Sequence, residues 1–312
     1  MMLRIQTASA SQQRRNTVAE GKKTKVPVVV ATALVALALG GYLLLRCGNP
    51  QWHWRLYAYQ AGGLEKKELE PGASYSGAWN NWDVDGRLLS TFQYRDGKRD
   101  GAYVVYNPEG GVLSEGKYRN GGLDGLQRIN RGEGFRTEIN YKDGKQDGVE
   151  KTFHPNGEVA IEAQWVDGLQ DGPMTFYTDA GMIQATVPYY QGKREGIMRT
   201  FHDSGALQAD ETYRNDMLNG KSEFWREDGS PDMVLHYRDD MQDGMQTWFY
   251  PDGKKARELL MSLVVLDGQI VSVPNGEWKE WDEEGKLVVD EVYEMGELKK
   301  RDGKDVRPQS GR

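Results

Sequence analysis

The stretch GVEKTFHPNGEVAIEAQWVDGLQDG, residues 148–172, decides the fold. Val149 to Phe153 alternates in character and ends on an aromatic ring. His154-Pro155-Asn156-Gly157 then reads as a tight turn, because proline presets φ and glycine tolerates positive φ. From Glu158 the chain alternates again, with Val159, Ile161, Ala163 and Trp165 on one parity. Residues 166–172 read as the next turn and as the start of another copy. One unit is therefore two short strands joined by a glycine turn.

The same unit recurs outward in both directions. Gly77, Gly101, Gly125, Gly148, Gly172, Gly196, Gly220, Gly244 and Gly276 are spaced by 24, 24, 23, 24, 24, 24, 24 and 32 residues. A second glycine follows each of them nine residues later, from Gly86 to Gly285. A fixed period of this size means a stacked repeat array. Two columns of rings accompany the glycines. Five residues after the first glycine stand Trp82, Tyr106, Asn130, Phe153, Tyr177, Phe201, Trp225, Phe249 and Trp281. The second strand ends at Tyr94, Tyr118, Tyr141, Trp165, Tyr189, Tyr213 and Tyr237. Residues two apart share a sheet face, and this parity also carries Leu88, Val112, Val159, Ile183, Leu207 and Leu287. The opposite parity carries Glu115, Glu162, Asp210, Glu258 and Asp290. One apolar and one wet face are what an antiparallel meander requires. The expected fold is all-β, an elongated antiparallel meander or solenoid of ~24-residue hairpin repeats, preceded by one transmembrane helix.

Two irregularities stand out. The Gly125 copy lacks its aromatic, having Asn130 followed by Arg131-Gly132-Glu133-Gly134. About eight extra residues precede Gly276, and residues 259–273 are unusually apolar.

The runs Asp96-Gly97-Lys98-Arg99-Asp100-Gly101, Lys142-Asp143-Gly144-Lys145-Gln146-Asp147-Gly148 and Tyr190-Gln191-Gly192-Lys193-Arg194-Glu195-Gly196, with the Phe-His-Pro-Asn-Gly type of turn between such runs, resemble MORN repeats. The likeness is to the variant form common in bacterial proteins, often labelled as antitoxins of toxin–antitoxin pairs. It covers residues 77–296. What it implies is the fold; the antitoxin label travels with the repeat and not with a known site.

Residues 26–45 carry no charge, long enough to span about 30 Å of hydrocarbon. Arg4, Arg14, Arg15, Lys22, Lys23 and Lys25 precede them, against Glu20. The positive-inside rule then expects a basic, disordered, cytoplasmic segment 1–25, an anchor helix 26–45 and repeats on the periplasmic or extracellular side. A cleaved signal peptide is the competing reading. It is disfavoured by the length of the span and by Leu45-Arg46-Cys47, which offers no small-residue cleavage site. Residues 46–76 are expected to be a linker and a degenerate cap repeat. Residues 297–312, rich in Lys and Arg, are expected to be a disordered tail. Cys47 is the sole cysteine, which excludes an intramolecular disulfide and a thiol metal cluster.

Charge divides at the anchor. Residues 1–46 hold seven Lys/Arg and one acid, a net +6; the chain total of −7 therefore leaves −13 for residues 47–312. An acidic repeat domain argues against nucleic acid and against charge-driven docking on anionic lipid. The four histidines, His53, His154, His202 and His236, show no metal spacing. His154 and His202 share one turn slot with Asn107, Thr178 and Arg226. Asp100, Asp124, Asp147, Asp171 and Asp243 precede first glycines, where a carboxylate caps nearby amides; a calcium row is the other reading. No cofactor, metal or catalytic residue is expected. The expected function is a non-catalytic, membrane-anchored scaffold for a protein partner with a basic surface. A carbohydrate or cell-wall module and an antitoxin-like partner of a toxin are the alternatives. The candidate binding face is Tyr106, Phe153, Tyr177, Phe201, Trp225, Phe249 and Trp281, which core packing of the same rings would equally explain.

Overall fold

The computed structural model describes residues 71–306, Val84 excepted. They form one sheet of 24 strands in which every pairing is antiparallel and joins strands close in sequence. The expected meander is therefore present. Among the described residues no helix is long and apolar enough to cross a membrane. The anchor expected at 26–45 and the segment 1–25 lie outside the described residues, as does most of the 46–76 cap.

The Gly148 copy shows the register. Gly148 faces Trp165, Glu150 faces Ala163 and Thr152 faces Ile161; a bulge then lets Phe153 face Val159. At the tip the amide of Gly157 donates to His154 O at 2.9 Å, and Gly157 has φ 92°. This is a type I turn closed by a left-handed glycine, a hairpin loop that suits strand twist. At the other edge Asp167-Gly168 has φ 51° and 86°. That is the two-residue primed turn, which needs positive φ twice. Leu169 already pairs back with Val166.

The first glycine of each copy is not in a turn, contrary to the simplest reading of the ladder. It sits in a bulge between copies: Ile139 faces Glu150 and Tyr141 faces Gln146, so Asn140 is opposed by three residues around Gly148. The backbone there has positive φ, 110° at Gly148 and 121° at Gly172. Space is closed as well. A Cβ on Gly172 would lie 2.4 Å from Gln164 Oε1, and one on Gly101 2.7 Å from Gln93 Cβ. The period of the sequence is thus the period of the bulge.

Both irregularities have local causes. In the Gly125 copy the strand Gly125–Gly132 turns on Glu133-Gly134, with φ 51° and 84°, and Gly132 faces Phe135. A tip one residue tighter accounts for the spacing of 23. The insertion lengthens two strands, Lys255–Leu266 and Gln269–Trp281, into an arm whose pairing runs from Met261 opposite Pro274 to Leu266 opposite Gln269. Its tip is apolar and open, with Val265 65% and Ile270 59% exposed.

The reading of 297–312 as a disordered tail is corrected for residues 297–305, while 307–312 lie outside the described residues. Glu297–Arg301 and Lys304–Asp305 are strands. Met295-Gly296 makes the same primed turn as the other copies, with φ 52° and 85°. Arg301 Nε lies 2.6 Å from Glu291 Oε1 across the pair. The basic run is half a further repeat, and its lysines charge the last edge, which discourages further strand pairing.

On the apolar parity the middle of the hairpins is covered: Ile139, Ala163, Val187, Ala209 and Leu235 are buried. The tip-side residues Val112, Ile183 and Leu287 on that parity are exposed. A buried aromatic cluster lies early in the array, where Phe92 stacks on Tyr103 at 5.3 Å and Tyr103 meets Tyr118 at 5.1 Å. The opposite face carries ion pairs, among them Arg128 to both Glu115 and Glu138 and Lys151 to Glu162. Pairs this exposed contribute little individually.

Candidate functional site

Two edges and one face hold the residues singled out by sequence. At the tip edge, the residue six after the first glycine reaches the next copy in four of the hairpins. His154 Nε2 donates to Tyr177 O at 3.0 Å and His202 Nε2 to Trp225 O at 2.9 Å. Arg226 donates to Phe249 O at 2.5 Å and the Tyr250 hydroxyl to Trp281 O at 2.7 Å. One geometric task, a donor at the right reach, is met by three side-chain types. This explains why the slot tolerates them, and it fixes the Nε2–H tautomer of both histidines, since a carbonyl only accepts.

At the turn edge the acids before the first glycines cap amides of the following turn. Asp100 accepts from Asn120 N at 3.2 Å, Asp147 from Asp167 N at 3.3 Å and Glu195 from Asn215 N at 2.8 Å. The capping reading of this row therefore accounts for its carboxylates. Among the described residues no group of three or more His, Cys, Asp or Glu is placed to hold a metal ion.

The aromatic column lies where its carbonyls receive the tip bonds. Phe153 is buried; Tyr106, Tyr177, Phe201, Trp225, Phe249 and Trp281 are half-buried, and none is exposed. The Arg136 guanidinium covers the Phe153 ring at 3.8 Å. The seven residues do not converge, since each belongs to a different hairpin of the meander.

Side chains missed by sequence reasoning lie on the apolar parity. It carries Glu150, Glu211, Arg257, Glu280 and Glu291 among its apolar residues. Glu211 faces Met198 and Ser222. Burial raises its carboxyl above the usual range, and Arg194, stacked on Tyr213 at 4.2 Å, pulls the other way. Arg257 faces Glu280 with Nε 2.7 Å from Oε1. Beside this pair lies a cavity of about 420 Å³ lined by Trp248, Tyr250 and Trp281. Charge placed on the covered parity of a single copy was the available signal.

Comparison with known families gives one match. A family model of the MORN repeat variant matches residues 146–167, 194–215, 242–261 and 274–295. Each match begins two residues before a first glycine, at Gly148, Gly196, Gly244 and Gly276, and so covers one hairpin of the meander. The repeat character read from the glycine ladder is supported at these four copies. No curated protein matches the chain.

Proposed function

We propose that this chain is a non-catalytic, membrane-anchored scaffold whose repeat array binds a protein partner on the extracytoplasmic side. The observation that carries the reading is an apolar position that recurs along the hairpins. Val112, Ile183 and Leu287 are exposed at equivalent positions of separate copies, which suits an extended contact better than a single pocket. Exposed apolar positions of this kind serve as interface core when a polar rim surrounds them. The net −13 of residues 47–312 favours a basic partner surface and argues against nucleic acid. The uncharged segment 26–45 would hold the array at the membrane, with a basic flank on the cytoplasmic side.

The test uses the full-length protein. Affinity capture after cross-linking in its own cells is expected to recover a defined protein. Deletion of whole copies is expected to weaken capture in steps, and salt to weaken it further. A reporter after Arg312 is expected to behave as exported, with the chain retained in membranes after alkaline wash. Release of a shortened soluble form would overturn the anchor. Capture unchanged by copy deletion would overturn the distributed contact.

A further inference from the structure

The hairpins form an internal comparison, and one inter-hairpin row breaks its own rule. Four residues after the first glycine stand Asn81, Val105, Ile129, Thr152, Phe176, Thr200, Phe224 and Trp248, but Glu280 in the last copy. Their cross-strand partners on the second strand of the same hairpin are uncharged, among them Ile161, Ala185, Ala209 and Met233, except for Arg257 in the Gly244 copy. The two exceptions face each other. Glu280 Oε1 accepts from Arg257 Nε at 2.7 Å and from Trp278 Nε1 at 3.1 Å. The guanidinium lies 5.4 Å from the Trp248 ring and 5.8 Å from that of Trp278.

The cavity of about 420 Å³ opens beside this pair. Trp248, Trp281 and Tyr250 give it flat aromatic walls, and the short side chains of Ala256 and Val288 leave the space. Tyr250 is held in place by its bond to Trp281 O. The volume falls within the range of about 300–1,000 Å³ typical of small-ligand sites with apolar walls and few polar groups.

We propose that this cavity is a subsite for a neutral saccharide ring. A pyranose has a C–H face that packs on an aromatic plane. Its rim of hydroxyls each donate and accept, which suits a fixed guanidinium–carboxylate pair. Glu280 keeps Oε2, and Arg257 its two terminal nitrogens, without a protein hydrogen bond among the described residues. The polar groups also decide against anionic ligands. Glu280 is neutralised by Arg257, and Asp282 Oδ1 is taken by the amide of Lys286 at 2.7 Å. An anion finds the arginine already paired with Glu280.

The experiment titrates full-length protein in a polyoxyethylene detergent, which carries no sugar headgroup, with cellohexaose, chitohexaose and maltohexaose. Tryptophan fluorescence and calorimetry read binding. At least one sugar is expected to saturate, with affinity falling tenfold or more in Glu280→Gln, which keeps shape, and in Ala256→Phe, which fills the cavity. Val166→Thr, at an exposed position in another copy, is expected to leave affinity unchanged. Circular dichroism checks that each variant is folded. Failure of all three sugars to saturate, equal affinity in E280Q and A256F, or competition by choline would each overturn the proposal. Partner capture is expected to be unchanged in E280Q, so loss of this site leaves the scaffold reading standing.

Discussion

His154 Nε2 lies 3.0 Å from the backbone carbonyl of Tyr177 in the next copy. The contact ties a hairpin tip to the strand end beside it, and His202 repeats it against Trp225. A neutral hydrogen bond of this kind contributes about 1 kcal/mol net. His202→Ala is therefore expected to lower stability by about that amount, whereas His202→Arg, the residue found in the same slot at Arg226, is expected to retain most of it. Urea unfolding of the three proteins checks the order. Equal loss in the alanine and arginine variants would show that the slot acts through something other than a donor.

Gly172 carries both a backbone and a space requirement. Its φ is 121°, and a Cβ would meet Gln164 Oε1 at 2.4 Å and Cβ at 3.0 Å. Gly172→Ala is expected to cost about 1–3 kcal/mol, the range for a side chain forced into a disfavoured backbone region. Adding Gln164→Ala is expected to restore only the part due to crowding. Gly181 also has positive φ but nothing within 4 Å, so Gly181→Asn is expected to be milder. Thermal unfolding of these variants separates strain from contact.

Asp216 and Asp240 stand where other copies have the second glycine of the primed turn, at φ 72° and 64°. Each makes up for the strained backbone with a bond to the preceding copy: Asp216 Oδ1 accepts from Arg194 N at 2.9 Å and Asp240 Oδ1 from Leu218 N at 2.7 Å. Asp240→Ala keeps the strain and loses the bond, and is expected to cost about 1–3 kcal/mol. Asp240→Gly loses the bond but removes the strain, and is expected to fall within about 0.5 kcal/mol of the parent. A glycine variant as unstable as the alanine one would mean that the carboxylate bond dominates.

The hairpin unit, its tip and its period were legible because glycine marks the positive-φ positions and alternation marks the faces. What was not legible followed from the same signals. Met295 and Gln191 take left-handed positions with φ 52° and 49°, and neither residue announces a turn. Met295 thereby hid the last half-repeat behind a basic run. The first glycines looked like turn residues because spacing alone does not separate a turn from a bulge. The candidate binding column was read at its positions, but convergence depends on neighbouring hairpins. The Trp248, Arg257 and Glu280 grouping joins residues from two copies across a 32-residue interval, where the insertion obscures the register.

Glu211 gives the pH prediction. Burial raises its folded-state pKa, partly offset by Arg194. A carboxyl raised on folding is more easily protonated in the native state than in the unfolded chain. Its favourable contribution is therefore present below the unfolded value of about 4.3, and is lost as pH rises through the higher folded value. Above that window the charged form sits against Met198 and Ser222, and burial of the charge opposes folding. Glu211→Gln is neutral throughout. The difference in Tm between variant and parent is expected to be near zero at pH 3.5, to grow in favour of the variant through the window above about pH 4.3, and to level off towards neutral pH. Loss of the attraction to Arg194 limits the size of the gain. Because the other carboxylates titrate equally in both proteins, the difference curve isolates this one group. A flat difference from pH 3.5 to 7, or one favouring the parent at neutral pH, would show that the Arg194 attraction outweighs burial.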